Sequence, residues 1–197
     1  MPVNLCSTMR CCTVSPNEGS LAFREKRDGI LTLEDMFTNV TRALQQEYPD
    51  HIFADNEWVF NCAGGFKTGM LILHASLTEY VIFWGSAVHT VGMSGRHAGE
   101  FHDFLMTGSF GQWKEGTVHK KLYQPGDHVY HGRWRGSVVE LAEDTWMLEH
   151  MVGIIPWSLP FGLADSVLSN QDFITVGSSL WTYARLVGYE LLLQGKI

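Results

Sequence analysis

The 197-residue chain is short of charge, of basic residues and of cysteine, and each shortage narrows what it can be. Charged residues make up 18% of it, and acids outnumber bases by 21 to 14, for a formal net charge of −7. The bases are scattered, so the basic stripe that a nucleic-acid footprint requires is missing. Nor would such a chain seek an anionic membrane electrostatically; any membrane contact must come from apolar area. The low charge sits in a chain that is 45% hydrophobic, a globular rather than a disordered composition. The four cysteines, Cys6, Cys11, Cys12 and Cys62, form no C-x-x-C and no Cys/His ladder, and read as free thiols in a reducing setting. Residues 1–27 contain no apolar run of signal-peptide or membrane-span length. The longest apolar stretch, Gly69 to Val88, carries His74 and Glu79 in its middle. A lone glutamate is costly in a bilayer, so this stretch reads as strand, turn and strand.

What is present falls into three textures. After an irregular leader over residues 1–28, Thr32 and Asp35 form a T-x-x-D capping pattern, and Leu33, Met36, Phe37, Val40 and Leu44 recur at helical spacing. This predicts an amphipathic helix ending near Glu47, before Pro49. From about residue 57 to 153, short apolar runs are punctuated by glycines and by a Pro-Gly-Asp turn at Pro125 to Asp127. That texture predicts about 8–10 short strands in a barrel or sandwich. From about 155 to 195 helical spacing returns: Pro156 suits a first helical turn, and a long helix follows from about Phe173, closed by Gly195. Its stripe of Phe173, Leu180, Trp181, Ala184, Val187 and Leu191, widened by Val176, Tyr183, Leu186 and Leu193, is broader than one soluble core requires. Two readings stand: a helix buried between neighbours, or one lying on a membrane. Residues 29–197 read as one domain, mainly β with flanking helices.

Two acids stand out because they sit where acids are costly. On the strand GEFHDFLMTG, Asp103 shares a face with Phe101, Leu105 and Thr107; on TWMLEHMVG, Glu149 shares a face with Met147 and Met151. An unpaired buried carboxylate is expensive, so the two are expected to meet, across a barrel lumen. Two carboxyls in a dry site cannot both ionise; one proton is shared between them. Such a pair can deliver a proton at one carbon and remove another elsewhere. Glu57, Asp165 and Asp172 read as solvent-facing or capping acids, and Ser94, Arg96 and Glu100 as structural.

The blocks WVFNCAGGF, LHASLTEYVIFWG, SGRHAGEFHDFLMTGSFGQWKEG, YQPGDHVYHG, TWMLEHMVGIIP, LPFGLADSVLSNQDF and YARL, in this order, resemble the family of the fungal C-8 sterol isomerases and the sigma-1 receptor. LPFG resembles the isomerase side; NQDF and FGQWKEG resemble the receptor side. The resemblance implies a cupin-like β-barrel with two C-terminal membrane-associated helices, assembled as a homotrimer at the endoplasmic reticulum membrane. The transmembrane helix with which relatives usually begin has no counterpart in these residues. Asp103 and Glu149 match the family's two essential acids. The receptor's ligand-lining positions fall on Phe66, Met70, Ile72, Tyr80, Ile82, Trp84, Phe101, His131, Val139, Leu141, Ile155, Ser158, Leu159 and Tyr183.

The implied reaction shifts a sterol double bond from the 8,9 to the 7,8 position: a proton is added at carbon 9, a cation forms at carbon 8, and a proton leaves carbon 7. No redox step occurs, so no cofactor is expected. Asp103 is assigned the shared proton and Glu149 the anion facing the cation, with Phe66, Tyr80, Trp84 and Tyr183 offering ring faces worth about 0.5–2 kcal/mol each. A protonated amine would mimic the cation, which makes sterols and cationic amphiphiles the expected partners. His128 and His131 are three apart and fall on opposite strand faces. The H-x-H of a metal-binding cupin is missing, so no metal is expected there; His131 reads as a hydrogen-bonding wall. His74 is expected to bond inside the barrel, with Glu79 as its partner.

Overall fold

The computed structural model describes residues 32–193 and 195; the leader expected over 1–28, with Cys6, Cys11 and Cys12, lies outside the described residues. The first helix, α1 (Leu33–Glu47), begins where the capping pattern placed it. Asp35 N–H donates to Thr32 Oγ1 at 3.1 Å while Thr32 N–H donates to Asp35 Oδ2 at 3.0 Å, which satisfies two of the donors that a helix start leaves open.

Ten strands follow: β1 (Val59–Ala63), β2 (Phe66–Ala75), β3 (Glu79–Ser86), β4 (Thr90–Met93), β5 (Gly99–Thr107), β6 (Phe110–Lys114), β7 (Lys121–Tyr123), β8 (His128–His131), β9 (Ser137–Leu141) and β10 (Thr145–Gly153). The long apolar stretch is therefore strand, turn and strand, as its internal His74 and Glu79 required. The strands form two antiparallel sheets, ordered β1-β2-β3-β10-β5-β8 and β4-β9-β6-β7, rather than one hydrogen-bonded barrel. Two helices close the chain, α2 (Ile155–Leu168) and α3 (Phe173–Leu193).

The core has three parts. On the outer face of the larger sheet, Leu44 of α1, with Phe37 and Val40, packs on Leu71, Leu73, Val81, Phe83, Phe104 and Leu148. Leu44 is 1% exposed, and burying such a side chain stabilises by about 1.5–3 kcal/mol. Between the sheets lie Phe66, Leu105, Phe110, Tyr123, Val129, Val139, Leu141 and Met147. The third cluster, Ile72, Ala75, Ile82 and Leu186, joins the larger sheet to α3.

Two local features seat the C-terminal helices. The Gly64–Gly65 turn has φ of +59° and +95°, and a Cβ on Gly64 would stand 2.2 Å from the Met93 carbonyl oxygen and 2.7 Å from the Phe161 ring. Glycine is therefore required for α2 to approach. Asp165 of α2 accepts from Gly65 N–H at 2.8 Å, so this acid clamps the helix to the β1–β2 turn. Asp172 caps α3, accepting from Thr175 N–H at 3.0 Å. The broad stripe of α3 is divided: Leu186 and Val187 are buried, whereas Phe173, Ile174, Trp181 and Leu192 are exposed. Among the described residues, no helix is long and apolar enough to cross a membrane.

Candidate functional site

Glu149 on β10 stands directly opposite Asp103 on β5. Opposed residues of an antiparallel pair have Cβ atoms about 4.5–5.5 Å apart on the same face, and the two carboxyls hydrogen-bond to each other. The acids therefore meet as side-by-side neighbours in one sheet. The expected meeting across a lumen is wrong, because β10 runs between β3 and β5 and brings distant sequence segments into adjacent register. Both groups are buried, at 1% and 8% exposure.

The surrounding donors distinguish the two. Asp103 receives Trp84 Nε1–H at 3.4 Å, and His131 Nε2 lies 3.3 Å from its Oδ2. Tyr80 O–H donates to Glu149 Oε1 at 2.5 Å. Behind His131, Tyr123 O–H donates to Gln112 Oε1 at 3.2 Å, and the Gln112 amide donates to His131 Nδ1 at 3.2 Å. The same amide nitrogen lies 3.4 Å from His131 Nε2, so Gln112 holds the ring in place beside Asp103. Burial pushes His131 down to about 4, which keeps the imidazole neutral at physiological pH.

Burial raises both acids. Asp103 is raised to about 6, restrained by hydrogen bonds from Glu149 and Trp84. Glu149 is raised well above the usual carboxylate range by burial and then by the charge of Asp103 beside it. Burial disfavours the charged form of each, so the pair shares a proton near neutral pH, with Trp84 donating to Asp103 and His131 Nε2 standing 3.3 Å from it. The sequence reading gives the shared proton to Asp103; in a pair this close that proton belongs to the pair, with Trp84 donating to Asp103 and Tyr80 to Glu149.

The pair opens into a cavity of about 210 Å³ between the larger sheet, β9 and the two C-terminal helices. Of the positions carried over by resemblance, Phe66, Met70, Ile72, Tyr80, Ile82, Trp84, Phe101, His131, Val139, Ile155, Ser158, Leu159 and Tyr183 line it together with both acids. Leu141 does not line it. It has the same face of β9 as Val139 but lies deeper, fully buried against Phe110, Val129 and Met147.

Several wall residues escaped sequence reading. His97 Nε2 donates to the Ser94 carbonyl at 2.9 Å, and its Nδ1 meets Ser158 Oγ at 3.1 Å, tying α2 to the β4–β5 connection. Phe161, Thr68 and Ser179 also reach the cavity. Gln112 and Tyr123 carried no local signal beyond being polar in an apolar strand. His128 is exposed and stacks on His102, on the sheet face opposite His131. His74 is not inside the space between the sheets. A β-bulge between Ile72 and His74 puts it beside Val81 on the outer face, where Nε2 lies 3.7 Å from Glu79 Oε1.

These features define a mainly β protein of two antiparallel sheets with flanking helices, whose largely apolar cavity holds a buried, paired Asp/Glu site. Residues 21–196 match the family model described as "ERG2 and Sigma1 receptor like protein", and the chain belongs to that family. It is 42% identical over 151 residues to sigma non-opioid intracellular receptor 1 of Gallus gallus, covering 76% of this chain and 68% of the relative. The Danio rerio protein of that name is 44% identical over 154 residues, 77% and 69% of the two chains. C-8 sterol isomerase ERG2 of Gibberella zeae is 36% identical over 164 residues, 81% and 67%. Among solved structures, KdgF from Halomonas sp. is similar with a TM-score of 0.44 and 15% identity, covering 52% of this chain and 94% of that one. An RmlC-like cupin from Shewanella frigidimarina gives 0.42 and 12%, covering 51% and 87%.

Proposed function

We propose that this protein is a sterol Δ8–Δ7 isomerase working through the Asp103–Glu149 pair. The observation that carries the reading is two buried carboxyls, opposed in neighbouring strands and hydrogen-bonded to each other, at the wall of an aromatic cavity. Protonated Glu149 delivers its proton to carbon 9, and the 8,9 double bond becomes a cation at carbon 8. A carboxylate of the pair then takes the proton from carbon 7, and those electrons form the 7,8 double bond. The pair finishes with the number of protons it began with. Trp84, Tyr80 and Phe66 offer ring faces to the cation, and the neutral imidazole of His131 adds no competing charge. At about 210 Å³ the cavity is below the ~300–1,000 Å³ of typical small-molecule sites. A four-ring substrate therefore fills it and extends between α2 and α3. The exposed Trp157, Phe173, Ile174 and Trp181 give those helices a face for the endoplasmic reticulum membrane, from which such a substrate would enter. The homotrimer implied by resemblance belongs to the same proposal.

A second reading is favoured by the higher identity to the receptors than to the isomerase. In it the same pocket binds cationic amphiphiles without turnover, the ionised pair receiving the ammonium. Incubation of purified protein with a Δ8 sterol, with products resolved by mass, separates the two. Δ7 product that disappears in Asp103→Asn and Glu149→Gln supports the isomerase. Folded protein giving no product above background, yet binding a tertiary amine in a Glu149-dependent way, establishes the receptor reading instead.

A further inference from the structure

Across β2 and β3 from the acid pair, polar side chains face the cavity from β1, β2 and α3. Asn61 on β1 stands directly opposite Thr68 on β2, so the two share the inner face of the sheet. Thr68 Oγ1 donates to the Asn61 backbone carbonyl at 2.9 Å, and both side chains line the cavity. Ser179 of α3 lines it too and is 8% exposed. The contacts of α3 show how it lies: Glu190 meets His51 at 2.9 Å, the Tyr189 and Phe53 ring centroids are 5.0 Å apart, and Arg185 donates to Asn56. Moving back along the helix thus matches moving forward along the chain toward β1, and the turns before Arg185 carry Ser179 toward Asn61. Among the described residues, the Asn61 amide and the Ser179 hydroxyl have no hydrogen-bond partner.

We propose that Asn61, Thr68 and Ser179 form a subsite for the 3-hydroxyl group of a sterol; the assignment rests on the isomerase reading for its substrate class. A buried polar group left without a partner is costly, and a largely apolar cavity orients its ligand through a few such groups. The chemistry here fits an alcohol. A hydroxyl both donates and accepts: the Asn61 amide N–H donates to it, and Ser179 Oγ or Asn61 Oδ1 accepts its proton. None of the three side chains is charged, so the subsite has no counter-ion for an ammonium or a carboxylate. Met70, Ile72 and Ile82 line the cavity on the strands between this subsite and the acids. A ligand that reaches both therefore carries its hydroxyl at one end, with an apolar body leading to the reacting carbons. In a sterol the 3-hydroxyl is on the first ring and the migrating double bond borders the second, so holding the hydroxyl decides which carbons meet Asp103 and Glu149.

The test is equilibrium binding of a labelled Δ8 sterol to the full chain, displaced by the same sterol unlabelled or by its 3-deoxy analogue. Isomerisation leaves the 3-hydroxyl in place, so turnover does not disturb the readout. The wild type should prefer the hydroxylated sterol by about tenfold or more, the scale of one or two neutral hydrogen bonds. In Asn61→Leu and in Ser179→Ala that preference should shrink at least about threefold, with affinity for the 3-deoxy analogue nearly unchanged. No measurable sterol binding, or equal binding of the two sterols by the wild type, overturns the proposal. So does a preference left intact in either folded variant, or an equal loss for both sterols, which makes the residue a packing group. Ser179→Ala removes a single hydroxyl and decides should Asn61→Leu fail to fold. Δ7 product measured in the same samples reports on the isomerase reading separately. Product that still forms without any hydroxyl preference overturns the subsite alone; a hydroxyl preference without product supports the subsite and refutes the isomerase.

Discussion

Replacing Asp103 with asparagine should remove activity and strengthen the fold at the same time. Burial holds this carboxyl at about 6 instead of the ordinary 3.8. The folded state therefore binds the Asp103 proton more tightly than the unfolded chain does. The associated stabilisation is complete below about 3.8 and is lost as pH rises through about 6. Above that, the ionised buried carboxylate costs about 3 kcal/mol relative to its neutral form. Asparagine has no charge to bury and keeps an oxygen to accept from Trp84 and from Glu149. At pH 7.5 Asp103→Asn should gain on the order of 1–3 kcal/mol, a rise of roughly 2–10 °C in Tm for a chain of this size. At pH 4 the wild-type carboxyl is itself protonated, so the gain should shrink toward zero. At pH 7.5 sterol turnover should fall by at least ~100-fold, since no carboxylate base remains beside Glu149. The assay is paired: thermal unfolding at pH 4 and pH 7.5, and product formation at pH 7.5. A Tm at pH 7.5 equal to or below wild type, or an equal gain at both pH values, would refute the ionisation argument.

The pH–rate profile of the wild type should lose its low-pH limb near 6: as pH falls through that value Asp103 takes a second proton and the pair has no base left. Glu149→Gln should abolish turnover and weaken tertiary-amine binding by about tenfold or more, measured by ligand displacement; unchanged amine affinity would remove Glu149 from the binding reading. Gln112→Leu removes the donor that fixes the His131 ring, so kcat should drop by about tenfold with KM little altered and the low-pH limb moved; a change in KM alone would make Gln112 a packing residue. Leu141→Ala should lower stability by about 2–5 kcal/mol while leaving KM near wild type, because this side chain lies behind the cavity wall.

Much of the fold was legible because its signals are local. The Thr32–Asp35 cap sits within four residues, the 3.6-residue period of α1 within fifteen, and His74 and Glu79 marked the strand–turn–strand at Gly69 to Val88. The burial of Asp103 and Glu149 followed from the two-residue period of their strands. That they were acids on apolar faces was enough to demand a partner. Residue identity and short-range spacing thus named the helices, the strands and the acid pair, while the family came from the resemblance of seven ordered blocks.

Tertiary structure decided the rest, because the deciding contacts join distant segments. Strand order made Asp103 and Glu149 neighbours in one sheet, and β3 and β8 brought Trp84 and His131 beside Asp103. The bulge after Ile72 turned His74 away from the cavity and toward Glu190. Depth along β9 separated Val139 from Leu141, which share a face. A strand's period fixes which side chains point together, but register, bulges and depth depend on what the strand is packed against, and that is settled only when the whole chain is in place.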